Sequence, residues 1–230
     1  MAPGHRAAPR FWQSDWLVLR EMARVLRALI ADPALGLRGA RVLDFGCGTR
    51  PYEAWFAAAG AQYRGADIDA AHEVRITEEG RLQCPDAEYD MVASFQVLEH
   101  VWDIGTYLGE ARRALRPQGR LLLSTHGSWL YHPHPRDYRR WTAEGLQAEV
   151  ESRGFRLQRM EPVVGPLALT TIYRSLGMAY ALKPLPLVGP VLAGLVSALL
   201  NVEAWIEDCI TPRAITAVNA CTYIALFRRT

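Results

Sequence analysis

The sequence predicts an α/β fold built on a doubly wound, mostly parallel sheet. Two observations carry this. Short apolar, strand-like runs alternate with helical periodicity through most of the 230 residues. The first buried run, Val42-Leu43-Asp44-Phe45, leads directly into a glycine turn and a second helix, the arrangement of open sheets that bind ligands at their carboxyl edge.

Taken in order, residues 1–10 are rich in Ala, Pro, Arg and Gly and read as a loose terminus. Over 11–31, apolar residues recur at Trp12, Trp16, Leu19, Met22, Leu26 and Leu29, the spacing of one helix face. Residues 41–45 form a buried strand, and a helix follows over about 51–59. Residues 62–68 are a second strand ending in acid, and 90–95 a third. A helix over 104–115 is stopped by Pro117 and Gly119, and 121–124 is a fully apolar strand. Thr142 caps a helix running to Ser152, which Gly154 ends. Two late strands lie at 155–160 and 223–227. The connection between them, about 162–220, is far longer than an ordinary loop of ~4–6 residues. The expected organisation is therefore a core over 1–161, a helical apolar insertion over 162–219 and a final core strand over 220–230.

Bulk properties narrow the function. Hydrophobic residues make up 50% and charged residues 22%, a globular balance. A net charge of +2 does not suggest nucleic acid as partner. Cys47, Cys84, Cys209 and Cys221 form no CxxC pair, which argues against a zinc site or a disulfide framework and for a reducing compartment. No signal peptide is visible, because Arg20, Glu21, Arg24 and Arg27 interrupt the early apolar region. The expected location is the cytoplasm, with or without membrane association.

The glycine turn presents backbone amides at a helix N-terminus. Its pattern, Gly46-Cys47-Gly48-Thr49-Arg50-Pro51, has proline where a dinucleotide fingerprint needs its third glycine, and no lysine of a phosphate-binding loop follows. Asp44 at the strand end would repel a pyrophosphate by about 1–4 kcal/mol at contact, and would stabilise a cation. S-adenosylmethionine (SAM), with its ammonium and sulfonium, satisfies both the carboxylate and the amides. Asp67, 23 residues on, closes the second strand where an acid accepts ribose hydroxyls. Each aspartate alone could be no more than a turn former; their order and spacing together favour the cofactor.

The segments VLDFGCGTRPYE, YRGADID, EYDMVASFQVLEHV, ALRPQGRLLLSTH and HPRDYRRWTAEGL resemble the successive motifs of class I SAM-dependent methyltransferases, most nearly the type 11 group acting on small molecules. The resemblance covers about 40–160 and the final strand. It implies a seven-stranded Rossmann-like sheet. It also implies that Asp44, Gly46, Cys47 and Gly48 line the methionine end, that Asp67 holds the ribose and that Ile68 packs on the adenine. Glu79 and Gly80 would border the adenine edge, and Ser94 and Phe95 would lie under the methionine. The stretch EEGRLQCPDAEYD departs from the family's usual aspartate-glycine and leucine-proline-phenylalanine pattern.

Residues following Phe95 and Thr125 should face the acceptor. His126 is the first candidate general base, with His132, His134 and Asp137 next, since imidazole titrates near neutral pH. A structural alternative pairs Asp137 with an arginine and buries Trp141. Glu99 and His100 are adjacent and should point apart on a helix, so no metal is expected. Arg136, Arg139 and Arg140 would suit either an anionic acceptor or a solvated edge.

PLPLVGPVLAGLVSALLNV, residues 184–202, carries no charge. Prolines and glycines crowd its first half, so only 191–200 reads as continuous helix, short of the ~20 residues of a membrane span. A lid over a greasy pocket comes first, then a homodimer surface, then a membrane-interface hairpin with Trp205 and Tyr180 as flanks. The expected activity is methyl transfer to a hydroxyl, carboxyl or carbon of a hydrophobic or lipid-linked small molecule. The alternative is a non-catalytic binding module that keeps the fold. Pro51 disfavours a nicotinamide oxidoreductase.

Overall fold

The computed structural model describes residues 6–69 and 71–230. Its elements are α1 (Trp16–Ala31), β1 (Arg41–Phe45), α2 (Glu53–Ala58), β2 (Gln62–Asp67), β3 (Val74–Arg75), β4 (Tyr89–Phe95), α3 (Ile104–Ala114), β5 (Leu115–His126), α4 (Ala143–Glu151), β6 (Phe155–Val163), α5 (Pro166–Leu182), α6 (Gly189–Ile210), α7 (Arg213–Val218) and β7 (Thr222–Arg229). The strands form one sheet in the order β3-β2-β1-β4-β5-β7-β6, in which β7 is antiparallel to both neighbours. The order reverses between β1 and β4. That switch point opens a crevice at the carboxyl ends of the strands.

The local signals explain most boundaries. In β1, β4 and the 121–126 part of β5 nearly every residue is buried, because helices cover both sheet faces. Thr142 accepts from Gly145 N at 3.0 Å, the cap its sequence position foretells. Asp103 caps α3 in the same way through Thr106 N at 3.0 Å. One face of the sheet buries α1, α2 and α5 around Leu26, Phe56, Ile172 and Ile224; the other buries α3 and α4 around Leu108, Leu146 and Phe227.

Several expectations are corrected. The loose terminus of residues 1–10 falls outside the described residues at 1–5, while Ala7 packs on the core and Arg6 Nη1 reaches Phe95 O at 3.4 Å. Trp12 is not on the buried face of α1, which begins only at Trp16; its ring is exposed. β3 carries too short a pattern to be read. β5 is much longer than 121–124, because residues 116–119 bulge out between the Tyr89 and Met91 pairings and pairing resumes on either side.

The largest correction concerns the insertion. It is a hairpin of two long helices, α5 and α6, and α6 runs 22 residues rather than ten. Pro190 sits in its first turn, where the missing N–H costs nothing. Gly189 is required there: an added Cβ would lie 2.3 Å from Leu182 O.

Candidate active site

A cleft of about 930 Å³ occupies the switch point, near the top of the ~300–1,000 Å³ range of small-molecule sites. Its floor is the β1 end and the glycine turn. Gly46 (φ +85) and Gly48 (φ +50) bend the chain back over β2. As a result Gly46 N and Cys47 N donate to Ala66 O at 2.8 and 3.1 Å, and Gly48 N donates to Asp67 Oδ2 at 2.8 Å. The unpaired amides expected at this turn are therefore already partnered. The Gly48 amide fixes Asp67, whose other oxygen accepts from Ile68 N at 2.8 Å. A carboxylate has about four acceptor sites, so both oxygens remain open to further donors.

Gly46 is also spatially constrained. A Cβ at that position would sit 2.7 Å from Val97 Cγ2 while holding positive φ. Gly46→Ala is expected to destabilise the protein by about 1–3 kcal/mol, measured by urea unfolding, and to weaken nucleoside binding with it.

Asp44 lies beneath the turn, only 2% exposed, and accepts from Tyr63 Oη at 2.7 Å. Burial pushes its pKa up to about 7 despite that hydrogen bond. Burial also raises the Cys47 thiol to about 12, so Cys47 is a wall and not a nucleophile. Glu79, Gly80 and Ile68 line one end of the cleft, with Ile68 67% exposed at its mouth. Phe95 lines it, in edge contact with Tyr52 at 5.0 Å. Ser94 does not. It points to the opposite sheet face, as strand alternation requires, and shares a 2.7 Å hydrogen bond with Tyr107 Oη. Tyr107 itself lines the cleft and donates to Phe45 O at 3.1 Å.

The far end is formed by Gln96, Val97, His100, Val101, Trp102, His134 and Pro135. Of the four candidate bases only His134 is here. His126 is buried below, stacked on Trp129 with ring centroids 5.2 Å apart and coplanar within 2°. Burial holds its pKa well below the ordinary imidazole value, but a base that cannot reach the cleft abstracts nothing there. Asp137 is clamped by Arg140 at 2.6 and 2.7 Å, and that ion pair holds it far below the usual carboxylate range. Asp137 also accepts from His132 N at 2.9 Å. It anchors the 127–141 loop, and Trp141 is half-buried against the core, as the structural alternative had it.

Sequence reasoning missed Arg6, Tyr52, Tyr63 and Tyr107. Tyr52 directly follows the glycine turn and Tyr63 heads a strand, signals that aromatic spacing alone leaves ambiguous. Arg6 is remote in sequence and arrives only by folding. Tyr52 Oη is buried at the cleft wall without a hydrogen-bond partner among the described residues. No residue of α5, α6 or α7 lines the cleft, so the hairpin does not sit over it as a lid.

A family model described as "Methyltransferase domain" matches residues 18–158. The chain is 30% identical over 137 residues to the ubiquinone biosynthesis O-methyltransferase of Aeromonas salmonicida, covering 51% of this chain and 57% of that protein. It is 33% identical over 140 residues to the protein of the same name from Bradyrhizobium sp., covering 54% and 53%. The chain thus spans little more than half the length of these curated relatives. Among solved structures, an S-adenosylmethionine-dependent methyltransferase from Mesorhizobium loti is similar with a TM-score of 0.55 at 16% identity, over 94% of this chain and 98% of that one. That likeness is one of fold.

Proposed function

Since the chain belongs to the class I SAM-dependent methyltransferases, we propose that it transfers the methyl group of SAM to an oxygen or carbon of a hydrophobic, membrane-resident small molecule. One juxtaposition carries the reading: a buried carboxylate, Asp44, and an amide-clamped carboxylate, Asp67, share a cleft whose other end is largely apolar. Asp44 takes the cofactor's cationic end. Arg6 and the unpartnered Tyr52 Oη are placed to receive its carboxylate, Asp67 the ribose hydroxyls, and exposed Ile68 the face of the adenine. Glu79 and Gly80 border the ring. Transfer from a sulfonium is an in-line displacement, so positioning supplies much of the acceleration. If the acceptor loses a proton, His134 and His100 are the imidazoles within the cleft.

Helix α6 supports the proposed acceptor class. This helix turns small residues inward, Gly189, Ala193, Ser197, Asn201 and Ala204, and large aliphatic ones outward, Val191, Leu192, Leu195, Leu199, Val202 and Ile206. That inverts the pattern of a water-facing helix. Among the described residues it is the helix long and apolar enough to cross a membrane by length and composition, with mean hydropathy 1.5. Its inner face is nevertheless committed to the protein, since Asn201 Nδ2 donates to Phe11 O and Gln13 O at 2.7 and 2.8 Å. The arrangement suits a helix lying in the membrane interface. Exposed Trp12, Tyr180 and Trp205, with Arg10 5.7 Å over the Trp12 ring, supply the amphipathic fringe such a helix uses.

Calorimetric titration with SAM and with NAD tests the cofactor reading, and transfer of labelled methyl from SAM into a lipid extract tests the acceptor. Asp67→Ala is expected to weaken SAM by about 10–150-fold, the equivalent of the ~1.5–3 kcal/mol of a hydrogen bond to a charged group. Unchanged affinity would show that the ribose lies elsewhere.

A further inference from the structure

Three potential ligands meet at the acceptor end, of which His100 lines the cleft and Glu99 and His132 do not. Glu99 and His100 lie on one 3₁₀ turn (Leu98–His100), and His132 comes from the loop after β5. One ligand atom from each lies within 4.8 Å of the others. The tight turn overrides the expectation that neighbouring residues diverge, because the turn ends at His100 and the chain extends at Val101.

Glu99 makes the cluster unusual. It is 0% exposed, and Oε2 accepts from Thr125 Oγ1 at 2.9 Å. Oε1 has no hydrogen bond among the described residues: His126 Nε2 lies 3.6 Å away, beyond bonding reach. An ionisable group buried with an unsatisfied oxygen is costly, and a bound proton or a bound cation relieves that cost. The His100 imidazole is oriented as a metal-binding histidine is. His100 Nδ1–H donates to Arg136 O at 2.6 Å, which fixes the tautomer and leaves Nε2 as a bare lone pair. The Asp137 carboxylate stands 3.3 Å from His132 Nδ1 and is itself held by Arg140, a carboxylate flanking a ligand histidine.

We propose that Glu99, His100 and His132 bind one divalent transition cation at the acceptor end of the cleft. Two imidazoles and one carboxylate select a borderline ion such as Zn²⁺ or Co²⁺ over Mg²⁺, which prefers an all-oxygen shell. Bonds of ~2.0–2.2 Å require the three ligand atoms, within 4.8 Å of one another, to draw closer around the ion. His100 lines the cleft, so an open coordination position faces it. There the ion would hold an acceptor oxygen and favour loss of its proton, which leaves to solvent or to His134 while the methyl group passes from sulfur to that oxygen. The site itself stands on the cluster alone; its service to the acceptor rests on the function proposed above.

The test is calorimetric titration of chelator-treated full-length protein with Zn²⁺, and with Co²⁺ followed by visible absorption. One equivalent of Zn²⁺ and Co²⁺ d–d bands are expected, with no heat from Mg²⁺ at the same concentration. His132→Ala and Glu99→Gln should each weaken Zn²⁺ at least about 10-fold, the lower end of what even an outer-shell partner contributes. His132→Ala removes a partly exposed ring and guards against a Glu99 variant that fails to fold. His72→Ala, beside Cys47 and Asp67, should leave affinity unchanged. Folded wild-type protein that takes up no metal, or uptake that survives loss of both His100 and His132, overturns the site. A SAM titration on the same sample separates the two readings: SAM heat without metal uptake sinks only the metal site, and metal uptake without SAM heat sinks only the cofactor reading.

Discussion

Asp44→Asn is expected to weaken SAM binding by about 30- to 5,000-fold while making the free protein more stable at pH 8. Both effects come from one buried carboxylate. Removing one partner of a buried charge pair costs about 2–5 kcal/mol of binding, and Asp44 at 2% exposure is the acid proposed above to meet the cofactor's cationic end. Its elevated pKa, about 7, shows the other side. The folded state holds a proton that the unfolded chain releases between about pH 4 and 7, so stability falls as pH rises through that window. Above pH 7 the full desolvation cost remains, a few kcal/mol at most, and asparagine removes it. Glu99, also pushed up to about 7 by burial, contributes with the same sign, so the substitution flattens the stability profile only in part. For the ligand the sign reverses: wild-type affinity for SAM should fall roughly tenfold per pH step below about 7 as Asp44 protonates, and the variant should lose that slope. Calorimetry at pH 5.5, 7 and 8.5, with thermal melts alongside, reads both. Equal SAM affinity in variant and wild type would remove Asp44 from the site.

The double variant Leu195→Glu with Leu199→Glu should abolish flotation with lipid vesicles and leave SAM affinity untouched. These side chains are 60% and 73% exposed, so the change leaves the core intact. Burying a leucine yields about 1.5–3 kcal/mol, and two lost anchors amount to two to four orders of magnitude in membrane partition, with repulsion by anionic headgroups added. SAM affinity should hold because α6 does not line the cleft. Flotation that survives the substitutions would place the membrane face elsewhere. If wild-type protein ignores vesicles but sediments as a dimer that the variant dissolves, the α6 face is a contact between two copies instead.

Legibility followed locality. The β1 strand is legible to its last residue because its short apolar run, broken only by Asp44, leads straight into a glycine turn that needs positive φ at Gly46 and Gly48. The Thr142 cap is an exchange between residues three apart. Ser94 was misplaced by one step of strand alternation, a small error in register with a complete change of face. The α5–α6 hairpin was misjudged for the opposite reason. Its prolines and glycines look like breakers in sequence, yet Pro184 and Pro186 lie in the connection between the helices, and Gly189 and Pro190 open α6, where they do no harm.

By itself the sequence determined the sheet, the carboxylate-bearing turn and hence the class of cofactor, because these rest on periodicity and on chemistry between near neighbours. Only the tertiary structure decided which histidines share the cleft, that Asp67 is clamped by the turn's own amides, that Glu99 is buried with an open oxygen, and that α6 shows its greasy side to solvent. Each of these depends on where distant segments dock, and docking is set by the packing of whole surfaces that no window along the chain contains.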